Sequence, residues 1–187
     1  MTTLSKTLLS SALLSFSLFL NGCSSGEKQS ANSMVSSNEF ILTELSKTQY
    51  IARKTPTGFI VDGADNKVIL LDIFATWCPP CQAEATHLTS LQEKFKDELL
   101  ILGVSVEENI EDTKLQAFRS EFNAQYPLLN SPENRRFITA VAEKLNIGRN
   151  FGIPLMALYK DGNLIKYYQG AVEEEFIESD IKKALGK

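Results

Sequence analysis

Two cysteines separated by two residues, Cys78 and Cys81, are the side chains of this sequence best suited to chemistry. At the start of a helix, such a pair can close a disulfide ring and open it again, or it can supply half of a metal site. A zinc site normally needs four ligands, whereas the expected folded domain offers only His87 beyond these two thiols. The spacing therefore leaves two chemistries open, thiol–disulfide exchange and a copper(I) site on Cys78, Cys81 and His87.

The residues around the pair indicate a strand followed directly by a helix. Residues 68–74 form an apolar run with one acid inside it, which is typical of a parallel strand covered on both faces. A helix is expected to begin at or just after Cys78, because Pro79 suits a first turn that needs no amide donor. Its buried stripe is predicted to consist of Ala85, Leu88, Leu91 and Phe95. Cys81 and Glu84 fall on the same side as this stripe.

The other segments predict an α/β domain, because strands alternate with helical patterns. Strands or short extended pieces are expected at 40–43, 58–61, 99–106, 126–130, 155–160 and 164–168. Helices are expected around three apolar sets, namely Leu115, Phe118 and Phe122; Phe137, Val141 and Leu145; and Phe176, Ile177, Ile181 and Leu185. Asp112 is predicted to cap the first of these helices, and Asp161 with Gly162 to form a hairpin turn.

The exchange reaction needs one reactive thiol and one proton acceptor. Cys78 is predicted to attack, because a helix N-terminus favours thiolate over thiol. Cys81, one turn further into the helix, is predicted to be more buried and to resolve the mixed disulfide. Asp72 and Glu84 are the two candidate bases, each expected to have a raised pKa in apolar surroundings. The alternatives are that Asp72 marks the exit of a strand to solvent and that Glu84 is a helix-surface acid.

The first 38 residues differ in composition from the rest. Residues 1–22 contain one lysine and an apolar core at 8–20, which predicts a signal peptide. Residues 23–38 are rich in serine and predict a flexible tether, so that the folded domain is expected at 39–187. The formal net charge of −4 and the lack of a basic stripe give no reason to expect nucleic acid as a partner.

The end of the signal-like segment, Leu20-Asn21-Gly22-Cys23, resembles the bacterial lipobox. The resemblance implies cleavage before Cys23 and attachment of lipid to its sulfur, which would tether the chain to a membrane. The alternatives are an uncleaved N-terminal anchor or an ordinary secretory cleavage that leaves Cys23 free.

The order of motifs from residue 40 onward resembles thioredoxin. Trp77 and the two cysteines follow a strand, Ile153-Pro154 precedes a strand pair, and Gly170 precedes the last helix. The resemblance implies a thioredoxin-like fold with a central mixed β-sheet flanked by helices, and Pro154 in the cis form beside the disulfide. It also implies that substrates dock against five residues: Trp77, Pro79, Pro80, Ile153 and Pro154.

The lipobox, the Pro-Pro dipeptide and the helical insertion before Pro154 narrow the resemblance to the membrane-tethered TlpA/ResA-like group. That group commonly carries a functional glutamate at the position of Glu84. The expected thioredoxin-like fold carries extra strands at its N-terminus. The resemblance implies a lipid-anchored thiol-disulfide oxidoreductase that faces the periplasm or the cell exterior. Its clients would be exported proteins, apocytochrome c among them, and its electrons would come from a membrane donor of the DsbD or CcdA type.

The expected cofactor set is empty apart from the redox-active disulfide, and no metal is expected. Neither Pro79 nor Pro80 has an amide hydrogen, so the Cys78 thiolate has fewer donors and the dithiol is predicted to be a reductant. A peroxide-reducing redoxin is the alternative within redox chemistry. Such proteins usually carry a lone cysteine three residues after Thr or Ser, whereas Thr76 stands two before Cys78.

Overall fold

The apolar strand Val68–Phe74 lies at the centre of the larger of two sheets in a computed structural model that describes residues 37–187. Every residue of this strand is buried, as its uninterrupted apolar run predicts. The predicted signal peptide, Cys23 and residues 23–36 of the predicted tether lie outside the described residues.

The described residues form strands and helices in an alternating order. The strands are β1 Glu39–Thr43, β2 Gln49–Lys54, β3 Phe59–Val61, β4 Val68–Phe74, β5 Leu99–Ser105, β6 Leu128–Leu129, β7 Leu155–Lys160 and β8 Asn163–Gln169. The helices are α1 Pro79–Lys94, α2 Asp112–Glu121, α3 Asn134–Lys144 and α4 Glu174–Ala184. Across residues 37–187, none of the helices combines the length and the apolarity that crossing a membrane requires.

The larger sheet has the strand order β6-β5-β4-β7-β8. β4 pairs in parallel with β5, and β5 with β6, whereas β7 is antiparallel to both β4 and β8. The prediction of a central mixed sheet flanked by helices is therefore confirmed. Because β4, β5 and β6 run in parallel, their carboxyl ends meet at one edge of the sheet, and the segment that contains both cysteines begins there.

Alternate residues of β4 face two separate apolar cores. Leu70 and Phe74 pack in a cluster that contains both cysteines and side chains of α1, α2 and α4. Ile69, Leu71 and Ile73 pack in a second cluster with α3 and the N-terminal strands. Asp72 belongs by this alternation to the face that carries the cysteines.

The three N-terminal strands form a separate antiparallel sheet in the order β1-β2-β3. β1 and β3 coincide with two predicted strands, but β2 was not predicted from the sequence. The reason is visible in its burial, because Ala52 alone among its six residues is fully buried and the strand lacks a strong apolar alternation.

One prediction about a helix end and one about a buried helix face are wrong. Asp112 is the first residue of α2 and makes no capping hydrogen bond; its carboxylate accepts hydrogen bonds from Lys47 at 2.6 Å and Asn130 at 2.7 Å instead. Phe176 was expected to face inward, yet it is 64% exposed, whereas Ile177 next to it is fully buried. The apolar stripe of α4 is thus narrower than its sequence suggests.

Candidate active site

Cys78 and Cys81 are joined by a disulfide at the N-terminus of α1. Cys78 is the N-cap of the helix, and Pro79 occupies its first position, as predicted. The Cys81 amide donates a hydrogen bond to Cys78 Sγ at 3.3 Å. This donor and the partial positive charge of the helix N-terminus would both stabilise a thiolate at Cys78.

The surroundings of the disulfide combine buried sulfur with exposed flanking side chains. Both cysteines are 3% exposed, so the expected difference in their exposure is absent in the disulfide form. Trp77 is 63% exposed, and Pro79 and Pro80 are exposed as well. A partner that reaches the disulfide would therefore meet these three side chains first.

The loop before β7 lies beside the attacking sulfur. The carbonyl oxygen of Ile153 is 3.8 Å from Cys78 Sγ. The peptide bond between Ile153 and Pro154 is cis, as the resemblance implied, and Pro154 is buried. The side chain of Ile153 is half-buried, and its carbonyl places this predicted docking residue beside the disulfide.

Asp72 is a buried carboxyl group on the cysteine-bearing face of β4. It is 3% exposed, which excludes the alternative that it marks the exit of a strand to solvent. Tyr126 Oη donates a hydrogen bond to Asp72 Oδ2 at 3.1 Å, and Oδ1 has no hydrogen-bond partner among the described residues. Burial raises the pKa of Asp72 to about 7, against the hydrogen bond from Tyr126 and with a contribution from the Glu84 carboxylate. The group can therefore bind and release a proton near neutral pH.

Glu84 is a second buried carboxyl group, on the inner face of α1. It is 2% exposed, so the alternative of a helix-surface acid is also excluded. The Val172 amide donates a hydrogen bond to Glu84 Oε2 at 3.2 Å, which links α1 to the loop before α4. Burial raises the pKa of Glu84, whereas this hydrogen bond and the nearby His87 act in the opposite direction. Both candidate bases thus lie where apolar surroundings favour the protonated form.

Glu107, which the sequence reasoning missed, holds the segment that precedes the disulfide. Its Oε2 accepts hydrogen bonds from the Thr76 amide at 2.7 Å and the Thr76 hydroxyl at 2.8 Å, and its Oε1 accepts one from Lys114 at 2.5 Å. Burial opposes its ionisation, yet the bonds from Lys114 and Thr76 hold the pKa of Glu107 below its ordinary value. On the other side, Gln82 Nε2 donates to the Thr76 carbonyl at 2.8 Å.

Glu107→Ala is expected to lower the free energy of unfolding of the oxidised protein by about 2 kcal/mol, because the donors of the buried Thr76 lose their acceptor. Glu107→Gln keeps an acceptor oxygen and should recover about half of this loss. Urea unfolding at pH 7 measures both. The control is Glu108→Ala, since Glu108 is 59% exposed and its ion pair with Arg135 spans 3.3 Å. Equal unfolding midpoints for Glu107→Ala and Glu108→Ala would contradict the anchoring role.

The alternative of a three-ligand copper site gains no support from the geometry. Within residues 37–187, no group of three or more His, Cys, Asp or Glu side chains is arranged to hold a metal ion. His87 is half-buried, and its Nδ1 has no hydrogen-bond partner in that part of the chain. The side chains found near the cysteines are instead the buried acids Asp72 and Glu84 and the predicted docking residues.

Glu107 and Tyr126 belong to the site but were not among the predicted site residues, and the sequence contains a stronger signal for the first than for the second. Glu107 follows the strand predicted at 99–106. The carboxyl ends of parallel strands share an edge, so an α/β sheet indicated that Glu107 could lie near Thr76. Tyr126 had none of its own, because 54 residues separate it from Asp72. Gly103 inside an apolar strand was the indirect signal, since such a glycine often marks a close approach of another group.

Comparisons with known proteins place these features in a family. Thioredoxin-1 of Drosophila melanogaster is 35% identical over 60 residues, which cover 32% of this chain and 56% of that protein. The thiol-disulfide oxidoreductase ResA of Bacillus thuringiensis is 25% identical over 147 residues, which cover 71% of this chain and 78% of that protein. The chain thus spans only about half the length of the Drosophila relative.

Solved structures share the fold. A thiol:disulfide interchange protein of the thioredoxin family from Chlorobium tepidum superposes with a TM-score of 0.62 at 20% identity, covering 80% of this chain and 94% of its own. StoA from Bacillus subtilis superposes with a TM-score of 0.55 at 15% identity, covering 78% and 98%. The Redoxin family matches residues 47–185. With its thioredoxin-like fold and its disulfide at the start of α1, the chain belongs to the Redoxin family.

Proposed function

We propose that this chain is a thiol-disulfide oxidoreductase that reduces disulfides of client proteins through Cys78 and Cys81. The observation that carries the proposal is the closed disulfide at the N-terminus of α1, next to the exposed Trp77 and in contact with the Ile153 carbonyl. A sulfur at a helix N-terminus beside accessible docking groups is suited to attack on an extended client segment.

The reaction transfers two electrons from the enzyme dithiol to the client disulfide. The Cys78 thiolate attacks one client sulfur, forms a mixed disulfide and releases the other client sulfur as a thiolate, which takes up a proton from water. Cys81 then gives its proton to a buried carboxylate, Asp72 or Glu84, and attacks Cys78 Sγ. The Cys78–client bond breaks, the Cys78–Cys81 bond forms, and the second client thiolate leaves.

Net electron transfer is expected to run from the enzyme dithiol to the client disulfide. Pro79 and Pro80 offer no amide hydrogen, so the Cys81 amide at 3.3 Å is the backbone donor that remains for Cys78 Sγ within the described residues. A thiolate with few donors stabilises the reduced form less than the thiolate of a strong oxidant. We therefore expect a reduction potential nearer to the value of about −270 mV for thioredoxin than to that of about −120 mV for DsbA.

Two measurements test this proposal. The chain should accelerate the reduction of insulin by dithiothreitol, Cys78→Ser should not, and equilibration with glutathione should return a potential in the thioredoxin range. A wild-type chain that reduces insulin no faster than dithiothreitol alone would refute the proposal. Consumption of hydrogen peroxide without insulin reduction would instead support the peroxide-reducing alternative. Tight binding of copper(I) without insulin reduction would support the metallochaperone.

The cellular setting is part of the proposal. The domain is held at a bacterial membrane by lipid on Cys23, faces the periplasm or the exterior, and regains its electrons from a membrane donor of the DsbD or CcdA type. Its clients are exported proteins, with apocytochrome c among the candidates. The lipobox-like sequence Leu20-Asn21-Gly22-Cys23 and the similarity to ResA support this setting.

A further inference from the structure

Tyr126 is a buried side chain that reaches Asp72 from a distant part of the chain. It precedes β6, is 2% exposed, and packs in the cluster that contains both cysteines. Its hydroxyl donates the hydrogen bond to Asp72 Oδ2 at 3.1 Å. Burial, and next the charge of Asp72, raise the pKa of Tyr126 well above 10, so the hydroxyl keeps its proton and remains a donor.

A glycine in β5 makes room for the tyrosine ring. Gly103 pairs with Asp72 across the β4–β5 ladder. A Cβ atom at position 103 would lie 2.8 Å from Leu128 Cδ2, 3.0 Å from Tyr126 Cε2 and 3.3 Å from Phe74 Cε1. Contacts this short require the neighbours to shift, so the absence of a side chain at Gly103 is what lets the Tyr126 ring lie over β5.

Few ionisable groups of the described residues lie near Asp72. Its paired positions on the neighbouring strands are Gly103 on β5 and Met156 on β7, and neither carries an ionisable group. On α1, Glu84 and the two cysteines face the same core. From α2, the Arg119 side chain donates to the Tyr126 carbonyl at 3.2 Å. The Tyr126 hydroxyl is therefore the one hydrogen-bond donor to the Asp72 carboxyl within residues 37–187.

We propose that Tyr126, in the space left by Gly103, is a positioning residue that orients the Asp72 carboxyl and sets its proton affinity for the exchange reaction at Cys81. The inference rests on the proposed function. Tyr126 occupies one carboxyl oxygen, so Oδ1, which has no partner in the described part of the chain, is the oxygen left to take a proton. When Cys81 resolves the mixed disulfide, its proton moves to Asp72, and the Tyr126 hydroxyl stabilises the carboxylate before the transfer.

The sign of the expected effect follows from that hydrogen bond. A donor to the charged form favours the carboxylate, so its removal raises the pKa of Asp72 further above about 7. A shift of about one pH unit would leave about a tenth of Asp72 ionised at pH 7 instead of about half. The resolving step should then slow about fivefold at pH 7 and return to the wild-type rate near pH 9.

The test compares Tyr126→Phe with Tyr159→Phe. Both tyrosines are buried, but the Tyr159 hydroxyl has no hydrogen-bond partner in the described residues and lies in the other core. The Asp72 carboxyl is titrated by carbon NMR in the oxidised chain, and the pH profile of disulfide exchange is recorded for the reduced chain. Tyr126→Phe should raise the pKa of Asp72 and the midpoint of the pH profile by about one unit each. Tyr159→Phe should change neither value.

One additional variant keeps the inference testable if Tyr126→Phe folds poorly. Gly103→Ala displaces the ring and should raise the Asp72 titration in the same direction. In an Asp72→Asn background, Tyr126→Phe should leave the exchange profile unchanged. Unshifted titration of Asp72 in both Tyr126→Phe and Gly103→Ala would overturn the inference. A wild-type chain without disulfide reductase activity would overturn the proposed function instead, since the NMR titration needs no turnover.

Discussion

Cys81→Ser is expected to leave Cys78 covalently attached to its clients and to lower steady-state insulin reduction by a factor on the order of 10³ or more. The reason is the position of Cys81 at one turn into α1, where it is bonded to Cys78 in the oxidised form and is the sulfur that must displace a client. Without it, the mixed disulfide has no intramolecular route to resolution. Reducing and non-reducing electrophoresis of complexes from the native host would measure the trap.

The matched control is Cys78→Ser, which removes the attacking sulfur and should trap nothing. Fractionation of the same host cells tests the proposed setting, because trapped complexes should sediment with membranes and contain exported proteins. Trapping by Cys78→Ser but not by Cys81→Ser would reverse the assigned roles of the cysteines, and equal trapping by both would show that neither role is exclusive. Trapped proteins of the cytoplasm would contradict the proposed location and leave the exchange chemistry intact.

Asp72→Asn is expected to increase the free energy of unfolding of the oxidised protein at neutral and alkaline pH. The rise in the pKa of Asp72 from its ordinary 3.8 to about 7 spans about three units, or about 4 kcal/mol at most. The folded form holds its proton more tightly than the unfolded chain does. Stability from this group is therefore fully present below about pH 4 and is lost as the pH rises through about 7.

The wild-type protein should thus lose stability between about pH 4 and pH 7, and Asp72→Asn should flatten this dependence. Urea unfolding across that range measures it, with Asp65→Asn as the control because Asp65 is an exposed acid in the turn before β4. The same substitution should slow the resolving step, since a proton acceptor is removed from the cysteine-bearing core. A variant no more stable than Asp65→Asn at pH 8 would show that folding does not raise the proton affinity of Asp72.

Asp72 and Glu84 show which properties of a buried acid can be predicted from neighbouring residues. The apolar run that carries Asp72 predicted both a buried strand and a perturbed carboxyl group, because burial of a whole strand follows from composition. The side of α1 that carries Glu84 followed from helical spacing in the same way. The partner of each acid did not, since Tyr126 and Val172 are 54 and 88 residues away along the chain.

The predictions that the structure contradicts concern segments that are only partly buried. The sequence does not predict β2, because only one of its six residues is fully buried. It predicts Phe176 inside, because α4 has more apolar residues than the neighbouring elements cover. Asp112 has the residue type of a cap, but Lys47 and Asn130 engage its carboxylate. For Asp112, contacts made by distant segments outweighed a local preference.

The amino-acid sequence was sufficient to predict the α/β fold, the redox pair and the two buried acids, because strand burial, helix periodicity and cysteine spacing are properties of neighbouring residues. Folding determined the rest. The hydrogen bond from Tyr126 through the space at Gly103, the anchoring of Thr76 by Glu107, and the Ile153 carbonyl beside Cys78 all join segments far apart in the chain. Such contacts depend on how strands and helices pack together, and that geometry has no local sequence pattern.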